Sequence, residues 1–461
     1  MPAPTLVVVG AGVTGLAAAY MAALEGRSVT VLEGAPTAGG LLATFPVGGT
    51  RLENFYHHFF THDAEFHWLV HELGIESRLR YFPASMGIYR NGRLHPFNGA
   101  ADLLAFTPIG FVAKGRFAAS SMYLAKVADW RKWEGVPCLE WFRAYAGKAA
   151  TDAIWRPMLD IKFGPYADRV PAAWMVGRLR QRLNSRKHGG ERLGYLHGSL
   201  SMLLERLLAR LDQLGVRVLT HHPVIGLIGG SGRATGVRTP HGDFPADDIL
   251  ATVPADRLAG IVADFDATYA ESLRRVEHFG AVCTILEMDR PLGPCYWLNV
   301  ADPGFPFGGV IEHTRLLPPE EYDGRHLVYL SRYFERGHPL ATMPTTEIGS
   351  LMTSALGTIY PQLRPDHILA SYVFRTGTAA VVCDLNFSTK VPSMKTPIAG
   401  LTYGGMVHVY PDERSCNNSI RVAAEALMAL GCNTDRVPRG SSLSGHVGGP
   451  LAASHALARS R

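Results

Sequence analysis

Three glycines near the N-terminus have the spacing of a loop that binds phosphate groups. Gly10, Gly12 and Gly15 follow a short apolar run and precede an alanine-rich stretch with helical character. The first glycine permits a sharp turn, the second lets the backbone approach a pyrophosphate, and the third lets the helix pack closely on the strand. N–H groups at the start of such a helix, here at Val13 and Thr14, face the anion. The pattern predicts a dinucleotide site.

An acidic residue and a second pair of glycines extend this predicted site. Glu33 ends the apolar run at residues 28–32, where it would accept hydrogen bonds from a ribose diol. Gly39 and Gly40 have no side chains to keep backbone N–H groups away from an extended ligand. On its own the pair would be a simple turn, but next to the first three glycines a ligand contact is favoured, and it includes the neighbouring Leu41.

Strand and helix patterns alternate along the rest of the chain. Apolar residues at three- and four-residue spacing predict helices, and short apolar runs predict strands. The helical patterns are at residues 66–74, 101–131, 137–186, 200–214 and 419–430, and residues 280–390 are rich in strand patterns. The glycine-rich link at residues 229–232 has the look of a second phosphate loop. No helix follows it, so a hairpin turn is predicted instead.

Charge and cysteine patterns exclude several other classes of protein. The 461-residue chain has a net charge of +5 and no block of basic residues, so we expect no nucleic-acid partner. Its six cysteines lack CxxC spacing, which indicates neither a metal site nor a disulfide framework. No signal peptide and no apolar run of about 18 residues is visible, and we expect a cytoplasmic protein without a transmembrane helix.

The glycine fingerprint, the acid at Glu33 and the glycine pair together resemble the flavin amine oxidase superfamily. That group includes protoporphyrinogen oxidase, phytoene desaturase and monoamine oxidase, and it shares its fold with UDP-galactopyranose mutase. The resemblance implies that the dinucleotide is FAD. Two later segments fit it. Residues 222–224 resemble the strand whose backbone, at Val224, meets the adenine, and residues 396–406 resemble the terminal strand that reaches the ribityl chain through Gly405 and Met406.

The same resemblance implies a helix that begins near Asn418 and whose N-terminus faces the flavin pyrimidine edge, where a helix dipole stabilises negative charge. Leu41 and Met406 depart from the family pattern, because an arginine or an acid is usual near these positions. The neighbouring polar residues 412–414 would replace the missing contacts, or they form a solvated loop.

We therefore expect an α/β fold in which a Rossmann-like FAD-binding domain of the GR2 type is interleaved with an α+β substrate domain. The FAD-binding domain is predicted at residues 1–95, 190–275 and 391–435. The substrate domain is predicted to combine a helical insertion at residues 96–189 with a sheet-rich part at residues 276–390. The tail at residues 436–461 is rich in serine, glycine and alanine and is predicted to be disordered.

The predicted catalytic residues lie in segments that resemble the surroundings of the flavin ring. Residues 53–62 resemble the stretch that passes the ring, and in the mutase this stretch has a G-x-H-x-F-H-T-like pattern. A strand would send His57 and His58 to opposite faces, and we place His57 on the ring side with Tyr56 nearby. Arg375 would hold an anionic substrate group bidentately or form a surface salt bridge. Lys162 is a further candidate for the cavity.

The leading hypothesis is an FAD-dependent oxidoreductase that transfers a hydride from a C–H or C–N bond of a small molecule to flavin N5. Oxygen or a quinone is the expected electron acceptor. One alternative is a non-redox isomerase of the UDP-galactopyranose mutase type, and another is a non-catalytic binding protein of the GDP-dissociation-inhibitor type. Residues 106–123 mix apolar side chains with Lys114 and Arg116, which suits a membrane surface, but packing on the chain's own domain is favoured.

Overall fold

In the computed structural model, residues 3–187, 190–440 and 443 are described. The strands are β1 (Thr5–Val9), β2 (Ser28–Leu32), β3 (Thr44–Val47), β4 (Thr50–Glu53), β5 (Phe59–Phe60), β6 (Leu79–Pro83), β7 (Met86–Arg90), β8 (Arg93–Pro96), β9 (Arg186–Lys187), β10 (Gly190–Leu196), β11 (Arg217–Leu219), β12 (Gly226–Gly230), β13 (Arg233–Thr239), β14 (Gly242–Pro245), β15 (Asp248–Ala251), β16 (His278–Met288), β17 (Trp297–Val300), β18 (Gly309–Glu312), β19 (His326–Phe334), β20 (Ile368–Val381) and β21 (Leu401–Tyr403). The helices are α1 (Val13–Leu24), α2 (Ala64–Glu72), α3 (Ala100–Ala105), α4 (Phe111–Lys126), α5 (Cys138–Tyr145), α6 (Lys148–Ala150), α7 (Arg156–Phe163), α8 (Ala172–Asn184), α9 (Ser201–Gln213), α10 (Ala255–Val262), α11 (Ala267–Arg274), α12 (Thr345–Ile359) and α13 (Cys416–Ala429).

A parallel sheet of five strands carries the predicted dinucleotide site. Its order is β11-β2-β1-β15-β21, and every neighbouring pair is parallel. Val8, Val31 and Leu250 in the middle of these strands are fully buried, because both faces of the sheet are covered. Helices α1 and α13 pack on one face, and the antiparallel sheet β12-β13-β14 packs on the other, where β13 contacts β15. The adjacent Val7 and Val8 belong to different apolar clusters, one shared with the helical insertion and one shared with α1 and α13. The predicted α/β fold with a Rossmann-like domain is confirmed.

A second sheet has seven strands. Its order is β20-β16-β19-β18-β17-β7-β8, and only the β17–β7 pair is parallel. Helix α12 covers one of its faces, where it buries Ile348, Met352 and Leu356. Strands β7 and β8 span residues 86–96 and pair within this sheet, so the predicted division at residue 95 does not follow the sheets.

The helical insertion runs from α3 to α8. The single helix expected at residues 101–131 is wrong: α3 and α4 are separate, because Pro108 between them offers no backbone N–H for a helical hydrogen bond. The segment from Lys148 to Phe163 is helical throughout and contains a π-helical turn at Thr151–Trp155. Such turns widen a helix locally and often occur at functional sites.

Helix α4 packs against the insertion with one face, at Phe117 and Leu124, and exposes apolar side chains on the other. Phe111 and Val112 are 79% and 74% exposed. The contact with a membrane surface stays a prediction.

The glycine-rich link at residues 229–232 is a hairpin turn, as predicted. It joins β12 to β13 in an antiparallel pair, and Ser231 and Gly232 have φ angles of 52° and 77°, as a tight hairpin turn requires. Part of the predicted disordered tail is ordered, since Val437 is buried and the Gly440 N–H donates to Glu65 at 2.9 Å. Residues 441–442 and 444–461 of that tail lie outside the described residues.

Candidate active site

A cavity of about 1170 Å³ lies between the two sheets and the helical insertion. The loops after β1, β2, β15 and β21 line one end of it, so this end lies at the carboxyl edge of the parallel sheet, where ligands bind in open α/β folds. We call it the dinucleotide end. Strands β19 and β20, helices α7 and α8 and the loop before α13 line the other end, which we call the ring end.

The first glycines of the fingerprint shape the dinucleotide end. Gly10 has a φ of 104°, which non-glycine residues rarely adopt, and it turns the chain from β1 into α1. Gly12 is the residue before α1 and lines the cavity, as do Val13 and Thr14. Gly15 does not line the cavity. A Cβ atom there would lie 1.9 Å from the Gly10 carbonyl oxygen, so its role is the close packing of α1 on β1.

The second glycine pair lies directly against the fingerprint. Gly39 and Gly40 have φ angles of 119° and 57°, and the Gly39 N–H donates to the Ala11 carbonyl at 2.8 Å. A Cβ atom on Gly40 would lie 3.3 Å from the Gly12 Cα atom. Both glycines and Leu41 line the cavity. A side chain at Gly40 would therefore crowd the fingerprint, whereas one at Gly39 would collide with Leu204 and Ala43.

Glu33 fastens the two loops that surround it. Its carboxylate accepts hydrogen bonds from the N–H groups of Ala11 at 2.7 Å and Ala35 at 2.8 Å, one on each oxygen. Each carboxylate oxygen can accept a second hydrogen bond, so the residue remains able to bind a diol. Val224 lines the cavity close by, since the N–H of the neighbouring His222 donates to the Glu33 carbonyl at 2.8 Å.

The N-terminus of α13 reaches the cavity, but through other residues than expected. Gly405, Met406, Ser415, Cys416 and Ser419 line it, and Ser415 caps the helix by accepting from the Asn418 N–H at 3.1 Å. The Asn418 side chain instead donates to the Glu413 carbonyl at 2.7 Å and is absent from the described lining residues. The helix begins at Cys416 and turns the Asn418 side chain inward, so the predicted contact between Asn418 and the cofactor stays a prediction that the cavity lining does not support.

His57 and His58 both line the cavity, in the stretch at residues 53–62 that we call the ring-end segment. The expected alternation fails because residues 54–58 are not a strand, and β5 begins only at Phe59. The His57 Nδ1 atom is 2.7 Å from the Phe55 carbonyl, so Nδ1 carries the proton and Nε2 is left as an acceptor. Burial and the Arg414 cation lower the pKa of His57 to about 4, and burial lowers that of His58 to about 3, so both are neutral at pH 7.

Two tyrosines and an arginine meet at the centre of the ring end. The Arg414 guanidinium donates to the Tyr333 hydroxyl oxygen, and the Tyr56 hydroxyl interacts with that of Tyr333. The Tyr56 ring packs edge-on against Trp297, with 4.8 Å between the ring centroids. Burial raises the pKa of Tyr56 well above its ordinary value.

An ionic cluster extends the ring end into the helical insertion. Glu413 accepts from the Lys162 ammonium and, at 2.7 Å, from the Arg178 guanidinium. Their side chains are 17–20% exposed, all on the cavity surface. Burial alone would raise the pKa of Glu413, but the charges of Arg178 and Lys162 hold it below its usual range. Lys162 lies in the cavity, as predicted from the sequence. Lys162 also lies 4.5 Å from the centre of the Trp174 ring.

Arg375 lines the cavity, where its contact with an anionic substrate group stays a prediction. Its Nη1 atom donates to the backbone carbonyls of Leu340 at 3.1 Å and Met343 at 2.7 Å. No carboxylate partner is found among the described residues, and the Nε and Nη2 atoms of Arg375 remain available for a bidentate contact. Tyr333, Arg178 and Ser415 were not predicted. Ser415 is the residue that a capping pattern identifies, a serine directly before a helix.

The fold and the lining of this cavity define a nucleotide-dependent enzyme site of the Rossmann type. The chain belongs to the flavin-containing amine oxidoreductase family, whose pattern matches residues 13–380. Over 215 residues it is 26% identical to the mitochondrial protoporphyrinogen oxidase of Nicotiana tabacum, which covers 41% of this chain and 42% of that protein. The chain thus aligns with about two fifths of the length of this relative.

Solved structures share the fold over nearly the whole chain. A candidate protoporphyrinogen oxidase from Exiguobacterium sp. 255-15 has a TM-score of 0.75 at 18% identity and covers 93% of this chain and 99% of its own. Reduced UDP-galactopyranose mutase has a TM-score of 0.72 at 14% identity, with 97% of each chain covered. The predicted superfamily is confirmed, and the family implies a flavin cofactor and an oxidoreductase. Among the described residues, no helix is long and apolar enough to cross a membrane.

The residues at the dinucleotide end fit such a cofactor. Gly10, Gly39 and Gly40 line the cradle with backbone alone, and a Cβ atom on Gly40 would narrow it. Glu33 and the capped N-terminus of α13 supply polar groups at separate points of the same cavity. The arrangement therefore suits a long, flexible ligand better than a compact one.

Proposed function

We propose that this protein binds FAD in the cavity and oxidises a small anionic molecule. The observation that carries the proposal is the continuity of one cavity from a glycine cradle to a wall rich in lysine and arginine. The backbone at Val13 and Thr14 would hold the pyrophosphate, Glu33 the ribose, and Ser415 and Cys416 the pyrimidine edge. When bound, FAD supplies an acceptor for a hydride equivalent.

The charge of the cavity wall supports an anionic substrate. The cationic lining side chains are Lys162, Arg178, Arg182, Arg257, Arg332, Arg375 and Arg414. The carboxylates among the described lining residues are Glu33, which lies at the dinucleotide end, and Glu413, which is already paired with Lys162 and Arg178. Excess positive charge in a partly enclosed cleft attracts anions and repels an aminium group.

The electron acceptor and the setting follow from the same proposal. No second nucleotide site is indicated by the sequence, so we propose oxygen or a quinone as the acceptor. We also propose that the protein works in the cytoplasm.

A second candidate is supported by the same cationic wall. A nucleotide sugar carries a pyrophosphate, which two arginines can hold, so an isomerase of the UDP-galactopyranose mutase type also fits. The two candidates differ in their use of electrons. An isomerase would need the flavin to be reduced beforehand and would show no net oxidation of the sugar.

The test begins with the absorption spectrum of the purified full chain, and with incubation with FAD and with FMN. FAD should bind and FMN should not, because the cradle fits a dinucleotide. Binding should shift the absorption spectrum of the flavin. The bound flavin should then be titrated under anaerobic conditions with pairs of probes that differ in an anionic group. Alcohols and amines that carry a carboxylate or a phosphate should bleach the flavin, and matched amines without the anionic group should not. A protein that stays colourless would support the binding-protein alternative. Bleaching only by cationic amines would contradict the proposal that the substrate is anionic.

A further inference from the structure

The Tyr333 hydroxyl lies where the ionic cluster meets the cavity. Tyr333 is on β19, a strand with neighbours on both sides in the seven-stranded sheet, so its backbone position is fixed. Its ring lines the cavity and lies 5.9 Å from the Lys162 ammonium, measured to the ring centroid. Arg414, Lys162, Glu413 and Tyr56 are the charged and titratable groups that face it, from α7, the loop before α13 and the ring-end segment.

Hydrogen-bond chemistry assigns the roles around this oxygen. A guanidinium has only donors, so the Tyr333 oxygen must accept from Arg414. Burial alone would raise the pKa of Tyr333, but the charges of Arg414 and Lys162 outweigh it and bring this pKa below its ordinary value. Because burial raises the pKa of Tyr56, the proton of this pair stays on Tyr56. Arg414 thus donates to the Tyr333 oxygen and Tyr56 faces it with a protonated hydroxyl, an arrangement that would stabilise a Tyr333 phenolate.

The other basic groups at the ring end are weaker candidates. The pKa of His57, lowered to about 4, makes its Nε2 atom a poor base. Glu413 is held by Arg178 and Lys162 with a pKa below its usual range, and Lys162 is engaged in the same ion pair. The cluster also contains more cations than carboxylates, because Glu413 stands against Lys162, Arg178 and Arg414. This excess of positive charge favours a second anion in the cluster.

We propose that Tyr333 is the proton acceptor of the reaction, with Arg414 and Tyr56 as the residues that position its oxygen. This rests on the proposed function. In the oxidation of a C–H carbon that bears an O–H or N–H group, the C–H bond breaks with its electron pair, which reduces the flavin. The O–H or N–H bond breaks at the same time and its proton passes to the Tyr333 oxygen. The electrons of that bond form the new C=O or C=N bond.

The first measurement is the ionisation of tyrosines in the holoenzyme, followed by ultraviolet difference absorbance against pH. One tyrosine should ionise below the ordinary value of about 10. It should disappear in Tyr333→Phe and in Arg414→Gln, which keeps Tyr333 but removes the cation, and persist in the control Tyr145→Phe, whose ring is 53% exposed. No early ionisation, or one that both variants retain, overturns the proposal.

The second measurement is the rate of flavin reduction by an anionic substrate. Tyr333→Phe should lower this rate by about 10²–10⁴-fold with little change in KM, and should abolish the fall in rate at low pH that marks a base with a depressed pKa. Tyr145→Phe should match the unaltered protein. A Tyr333→Phe enzyme with an unchanged rate or an unchanged pH profile overturns the proposal. If no probe reduces the flavin while the early ionisation is present, the proposed function fails and the assignment of the Tyr333 phenolate does not.

Discussion

The dinucleotide end of the cavity offers its ligand mainly backbone, and the ring end offers mainly side chains. At the first end, Gly10, Gly39 and Gly40 have positive φ angles and contribute only backbone to the lining. At the second, Tyr333, Arg414 and Lys162 form a charged cluster held by hydrogen bonds and an ion pair. A backbone cradle tolerates few changes of shape, whereas a side-chain cluster tolerates few changes of charge. The two ends should therefore respond to different kinds of substitution.

The largest effect is expected for Gly15→Ala, which changes shape at the dinucleotide end. The added Cβ atom would lie 1.9 Å from the Gly10 carbonyl oxygen, and α1 cannot move away without leaving the sheet. We expect a loss of roughly 4 kcal/mol or more in the free energy of unfolding, at the upper limit for single substitutions, and a loss of bound flavin. Denaturant unfolding and flavin content measure both.

The matched control is Gly115→Ala. Gly115 lies in α4, and a Cβ atom there meets nothing within 4 Å. Alanine should stabilise this helix by about 0.5–1 kcal/mol. Equal effects of the two substitutions would show that the contact between α1 and β1 does not limit the fold.

The two ends also differ in how far a sequence can predict them. Gly10, Gly15 and Glu33 lie close together in the sequence, and their spacing alone indicates a strand, a turn and a helix. Tyr333 and Arg414 are 81 residues apart and Lys162 and Glu413 are 251 residues apart, so only the packing of β19 and α7 against the loop before α13 brings them together. The prediction of alternating histidines failed for a related reason, since alternation holds only where a strand has a partner.

The next largest effect is expected for Glu53, and it concerns the pH dependence of the free energy of unfolding. Its carboxyl group is fully buried, accepts from the Tyr195 hydroxyl at 2.6 Å and from the Leu200 N–H at 3.2 Å, and burial raises its pKa to about 7. Because the folded pKa lies above the ordinary value of 4.5, the folded protein binds the proton more tightly than the unfolded one. Its contribution is therefore complete below pH 4.5 and is lost as the pH rises through 7.

Glu53→Gln should remove this dependence, because an amide resembles the protonated acid. The free energy of unfolding of the variant minus that of the unaltered protein should rise by about 3 kcal/mol between pH 4.5 and pH 8. Taking this difference cancels the contributions of Asp63, His57 and His58, which titrate in both proteins. Glu72→Gln is the control, since Glu72 also accepts from a tyrosine hydroxyl, Tyr20 at 2.8 Å, but is only half-buried. A flat difference would mean that Glu53 folds as a charged group.

A smaller effect is expected for Glu413→Gln, which changes charge at the ring end while keeping its shape. The substitution leaves Lys162 and Arg178 without their carboxylate, which would cost 3–5 kcal/mol for a fully buried pair and about 2 kcal/mol for side chains that are about one-fifth exposed. Thermal unfolding measures this loss, and flavin content should hardly change. Glu271→Gln removes an exposed pair with Arg274 and should cost less than about 0.5 kcal/mol. A matching loss in both variants would contradict a special role for the cluster.

The smallest effect is expected for Glu33→Gln, and it separates the two ends most directly. The amide keeps one acceptor oxygen but turns a donor toward either the Ala11 or the Ala35 N–H, and it weakens the contact with a ribose diol. We expect FAD to bind about tenfold more weakly, or about 1.4 kcal/mol, from a flavin titration. The early tyrosine ionisation of the ring end should not move, because the substitution alters no group that faces Tyr333. The exposed Glu25→Gln is the control for charge alone. A shift of that ionisation would show that the two ends are coupled. If Glu33→Gln binds FAD as tightly as Glu25→Gln does, Glu33 does not contribute to FAD binding.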